Sequence, residues 1–145
     1  MDVAALIAWV VTALGGFYLL ATWIRNGGQR RVAGASNFPP ALIFGHFTLA
    51  AVGLIVWIIY VATDESAWAW TSFVLLVVIA LLGFTMLIRW LPAYRGRVTT
   101  GGRVTEALAG GPAERHFPVA VVAAHGLLAV TTVVLVLLAA AGIGS

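Results

Sequence analysis

This 145-residue chain has three histidines and no cysteine, so imidazole is available to a metal and thiolate is not. His46 and His125 lie inside apolar runs, and His116 lies at the edge of one. The two interior histidines share a local pattern. Phe-Pro, six residues, His, two residues and Leu-Ala occur at Phe38–Ala50 and again at Phe117–Ala129. An imidazole in an apolar run must find a partner or a task, because an unpaired polar group in hydrocarbon is costly. Two imidazoles in matched register offer two lone pairs to one centre. That is what an octahedral metal needs above and below a flat macrocycle.

The residues that would position this pair are clear from hydropathy. The chain is 62% hydrophobic and 9% charged, with a mean hydropathy of +1.05. A soluble domain of this size needs more polar surface. Four apolar runs, Val3–Ile24, Pro39–Thr63, Ala67–Leu91 and Phe117–Ile143, each exceed the roughly 20 residues required to cross about 30 Å of hydrocarbon. Backbone groups in hydrocarbon must bond internally, so the runs are expected to be helices. Short connections between them predict a single all-α integral membrane domain, an up-down-up-down bundle of four helices. The first run has no basic segment before it and is longer than a signal-peptide core, so it is expected to remain as a helix.

Charge predicts orientation. All eight basic residues are arginine. Arg25, Arg30 and Arg31 follow the first run, while Arg89, Arg95, Arg97, Arg103 and Arg115 lie at or between the third and fourth. The connection between the second and third runs carries Asp64 and Glu65 and no basic residue. The positive-inside rule therefore puts loops 25–38 and 92–116 in the cytoplasm and both termini outside. Trp23, Trp90 and Tyr94 at one level, with Tyr60, Trp68 and Trp70 at the other, suit an interfacial aromatic belt. Ser36 or Asn37 would cap the second helix, and the glycine-rich stretch 95–114 reads as a flexible loop. Exclusive use of arginine, with abundant alanine, valine and glycine, suggests a bacterial source and a place in the cytoplasmic (inner) membrane. The net charge of +3 reports topology, not nucleic-acid binding.

The second and fourth helices run parallel in this arrangement. Seven residues beyond each proline, at about 1.5 Å each, put His46 and His125 roughly 10 Å below the same face. Gly16-Phe17 and Gly83-Phe84 are a further matched pair, and the two glycines reach the same depth from the opposite direction. The chain thus reads as two helix hairpins related by a twofold pseudo-repeat. Glycines on the flanking helices would clear space for a macrocycle edge. Arg25, Arg89, Arg115 and His116 are candidate partners for its carboxylates.

This set of residues resembles the bis-histidine b-type cytochromes of membranes, whose helix bundles combine paired histidines with glycines on neighbouring helices. The resemblance covers the layout of four helices and, in residues, Gly16, His46, Gly83 and His125. It implies one haem b with His46 and His125 as axial ligands. It also implies single-electron exchange with a quinone or another membrane redox protein, in a chain that works as an electron carrier or oxidoreductase subunit. Two-haem members carry a second histidine about four turns further along each helix. Ile59 and Leu138 stand at those places here, so one haem is the limit.

Other chemistries fit less well. Zinc or copper would want three or four ligands, and proton or ion carriers place carboxylates in the membrane. Nucleophilic triads and phosphate loops have no counterpart in the sequence. The principal rival is a cofactor-free accessory or assembly subunit of a larger membrane complex, its histidines bonded to neighbouring helices. A homo-oligomer fits either reading.

Overall fold

The computed structural model describes residues 1–30, 32–99 and 111–143. Arg31 and Arg103 lie outside the described residues, as do 100–110 of the glycine-rich stretch and the side chain of Arg97. The described chain is all-helical, with α1 at Asp2–Arg25, α2 at Pro40–Thr63, α3 at Ser66–Thr99 and α4 at Val119–Ala140. A short 3-10 turn, Ala113–His116, precedes α4. All four long helices are long and apolar enough to cross a membrane.

Local chemistry sets the boundaries. Pro40 opens α2 and Pro39 stands just before it, where a missing N–H costs no helical hydrogen bond. Neither Ser36 nor Asn37 caps that helix: the N-cap is Pro39, without a side-chain bond. Asp64 ends α2 in the left-handed conformation (φ 57°), its N–H bonded to the Tyr60 carbonyl at 2.8 Å. Asp tolerates that region better than most residues, so two residues suffice to turn the chain into α3. The third helix departs from expectation. It does not stop near Leu91 but continues to Thr99 with Pro92 inside it. Pro92 is exposed, and the Arg and Ala residues that follow are good helix formers, so the lost bond does not end the helix.

Each helix touches its neighbours in the order α1, α2, α3, α4, and α4 closes the ring onto α1. Trp57 Nε1–H reaches the Asp2 carbonyl at 3.3 Å, pairing the end of α2 with the start of α1. His46 meets Ile79 while Gly53 meets Ser72, and His125 meets Gly16 while Thr132 meets Thr12, so neighbouring helices run antiparallel. Large apolar side chains face outward, including Leu81, Phe84 and Leu127 at 64%, 62% and 71% exposure. An apolar exterior of this kind suits a hydrocarbon solvent.

The interior divides into two apolar clusters. One, around Trp9, Trp57, Tyr60, Leu76, Ile79 and Val136, fills the half near the N-terminus. The other, around Trp23, Phe38, Ile43, Trp90 and Phe117, fills the arginine-bearing end. Between them lie Gly16, His46, Gly83 and His125.

Candidate functional site

The histidine layer is built from all four helices. The rings of His46 on α2 and His125 on α4 face each other across the bundle, centroids 6.5 Å apart and planes inclined by 60°. Each ring leans on a helix of the other hairpin. His46 Nδ1 lies 3.1 Å from the Ile79 carbonyl oxygen on α3, and His125 Nδ1 lies 2.9 Å from the Thr12 carbonyl oxygen on α1. A carbonyl oxygen only accepts, so both Nδ1 atoms carry the proton and donate it. In the neutral rings the lone pair is then on Nε2.

The glycines make these contacts possible. A Cβ built on Gly16 would lie 3.2 Å from His125 Cε1, and one on Gly83 would lie 3.2 Å from His46 Cε1. Their clearance in this structure is therefore to the imidazoles themselves. Thr12 precedes Gly16 by four residues and Ile79 precedes Gly83 by four, so the same carbonyl-and-glycine seat is used twice. The twofold pairing expected from the sequence recurs in these contacts. It extends to two tryptophans expected in the interfacial belt: Trp23 and Trp90 each stand seven residues beyond their glycine.

Those two tryptophans are not a belt facing headgroups. Trp23 is fully buried and Trp90 nearly so, and Tyr60, expected in the opposite belt, is buried as well. The indole N–H groups explain the inward orientation, because each has a partner inside. Trp23 Nε1–H donates to Ser36 Oγ at 2.9 Å, and Trp90 Nε1–H to the Glu114 carbonyl at 3.2 Å. Glu114, expected in a solvated loop, is fully buried. Its Oε2 accepts from Ser36 Oγ at 2.9 Å and its Oε1 from the Asn37 N–H at 2.6 Å. Ser36 Oγ also accepts from the Phe38 N–H at 2.9 Å. Phe38 and Phe117, the matched pair before the prolines, meet with centroids 6.2 Å apart. A polar cap thus joins the two hairpins at the arginine-bearing end, with the second apolar cluster between it and the histidines.

The expected carboxylate partners are not gathered around the layer. Arg25 is exposed in the last turn of α1. Arg89 Nη1 donates to the Asn37 carbonyl at 2.9 Å, bracing the cap. Arg115 is half-buried in the 3-10 turn, and His116 is exposed with Nδ1 3.2 Å from the Ala113 carbonyl oxygen. All four sit at the same end of the bundle as the cap.

No cluster of three or more His, Asp or Glu side chains occurs among the described residues, so the donor set of the layer is two imidazoles. Two imidazoles bound through Nε2 to one metal at about 2 Å each would have centroids roughly 6–6.5 Å apart. The observed separation falls at the upper end of that range. With Nδ1 of each ring donating to a carbonyl, His46 and His125 are the residues that would hold one metal centre, since outer-shell acceptors of this kind fix tautomer and ring orientation.

No protein-family model, no curated protein and no solved structure matches the chain.

Proposed function

We propose that this protein is a multi-pass membrane b-type cytochrome that holds one haem between His46 and His125. The single observation that carries the reading is the facing pair of imidazoles, 6.5 Å apart, each with Nδ1 anchored on a backbone carbonyl. The haem, when bound, supplies one-electron chemistry. The chain's own residues do the rest. Ile79 and Thr12 hold the ligand tautomers, Gly16 and Gly83 admit the rings, and the two apolar clusters on either side keep water from the layer.

In this reading the arginine-bearing loops are cytoplasmic, both termini are outside, and the membrane is the bacterial inner membrane. The layer then lies nearer the cytoplasmic face, and Arg25, Arg115 and His116, at that end of the bundle but beyond the second apolar cluster, are the side chains that would pair with haem carboxylates reaching that far. Arg89 joins them only by leaving the Asn37 carbonyl. The electron partner is a quinone or a second membrane redox protein. Two deep ligands support one haem, so the chain carries charge to one level of the bilayer. The direct test is the absorption spectrum of the purified protein and of its His46→Ala and His125→Ala variants.

One observation favours a second reading. Both histidines already have a hydrogen-bond partner on a neighbouring helix, as they would in a cofactor-free accessory or assembly subunit. Co-purification with larger subunits, without a Soret band, would support that reading.

A further inference from the structure

A groove of about 270 Å³ opens beside the start of α2, lined by Arg30, Val32, Ser36, Asn37, Phe38 and Pro39 among others. We propose that it is a binding site for the phosphate-bearing headgroup of an anionic phospholipid.

Charge is the first argument. The Arg30 guanidinium has no carboxylate partner among the described residues, and Glu114, the carboxylate bonded to the groove residues Ser36 and Asn37, is buried with both oxygens engaged. Arg30 does not trail freely into solvent. It folds back over the turn at Gly27 (φ 76°), where a Cβ would lie 3.2 Å from its Cδ and Nε. Gly27 is thus doubly suited to glycine, by its left-handed backbone and by the arginine stem packed on it. The guanidinium is held where it lines the groove, and a planar fork of donors matches a phosphodiester.

The second argument is the composition of the walls. Val32, Pro39 and Pro40 are exposed and apolar, while Phe38 is buried at the groove's inner edge. Pro40 begins a membrane-spanning helix, so the groove lies where headgroups meet acyl chains. Asn37, exposed, adds a neutral side chain that can donate or accept. A soluble anion would use the arginine but not the apolar wall. A phospholipid uses both, with the phosphate on Arg30 and the first methylenes against Val32 and the prolines. A cation at the membrane surface contributes about 1 kcal/mol of attraction to anionic lipid, which is about five-fold in affinity.

This inference rests on the membrane reading of the chain and not on haem. Native mass spectrometry of detergent-purified protein, titrated with phosphatidylglycerol or phosphatidylcholine, tests it. The expected result is preferential retention of phosphatidylglycerol that 10-fold excess inorganic phosphate does not displace (an excess chosen to exceed the roughly five-fold effect of one charge). Arg30→Gln should lower that retention about five-fold, Arg30→Lys should restore part of it, and Arg25→Gln, which removes equal charge outside the groove, should change it less. Equal losses in Arg30→Gln and Arg25→Gln would overturn the site in favour of diffuse surface charge. Displacement by inorganic phosphate would overturn the lipid assignment. Retention of neither lipid, or equal retention of both, would overturn the site and leave the membrane reading standing, because detergent strips lipid from a membrane protein that has no specific site for it.

Discussion

Replacing Glu114 by alanine should be the most damaging single change at the arginine-bearing end of the bundle. The carboxylate is fully buried and accepts from Ser36 Oγ and from the Asn37 N–H. Hydrogen bonds to a charged group contribute about 1.5–3 kcal/mol each. Asn37 is exposed and its amide can turn to water, so the loss should be near the lower sum, about 3 kcal/mol. At a few degrees per kcal/mol for a chain of this size, the midpoint of thermal unfolding should fall by about 10 °C. Glu114→Gln is the sharper comparison. Its amide keeps one acceptor for Asn37 but turns an N–H₂ donor toward Ser36, whose oxygen already accepts from Trp23 and Phe38. That variant should lose roughly half as much. Tryptophan emission during detergent-solubilised melting is a suitable assay, because Trp23 and Trp90 both bond within the cap. A shift below about 2 °C for Glu114→Ala would refute the view that the carboxylate latches the two hairpins together.

Three further outcomes follow from the packing. Gly16→Val and Gly83→Val should each displace the imidazole seated on that glycine, where even a Cβ would come within 3.2 Å of Cε1; the cost should be about 1–3 kcal/mol, with loss of haem uptake on titration with haemin. Gly53→Leu should destabilise by a similar amount, read as a lowered melting midpoint, because a Cβ there would lie 3.0 Å from the Trp9 ring. Orientation can be read from single cysteines, since the chain has none of its own. Cysteine at exposed Gln29 should be blocked from a membrane-impermeant maleimide in intact cells, and cysteine at Glu65 should react; the reverse pattern would invert the topology.

Much of the fold was legible because hydrocarbon leaves few options: four apolar runs become four helices. The histidine pair was legible because the same spacing occurs twice, at Pro39–His46 and Pro118–His125. Glu114 was not, because a glutamate in a glycine-rich polar stretch carries no local sign of burial; only the partners at Ser36 and Asn37, 78 and 77 residues away, reveal it. Trp23 and Trp90 carried a signal in their equal distance from Gly16 and Gly83, but tryptophan near a span end reads equally well as a belt residue. Pro92 suggested a helix end that the residues after it override. The arginines predicted the end of the bundle at which they lie but not their contacts, since long flexible side chains take their partners from tertiary structure.

Whether iron sits between His46 and His125 is decided by a reduced-minus-oxidised absorption spectrum of the purified protein. The expected result is a red protein with low-spin bis-histidine bands, one haem per chain, and loss of those bands in His46→Ala and His125→Ala. A colourless protein that takes up no added haemin, or a His125→Ala variant with an unchanged spectrum, would contradict it.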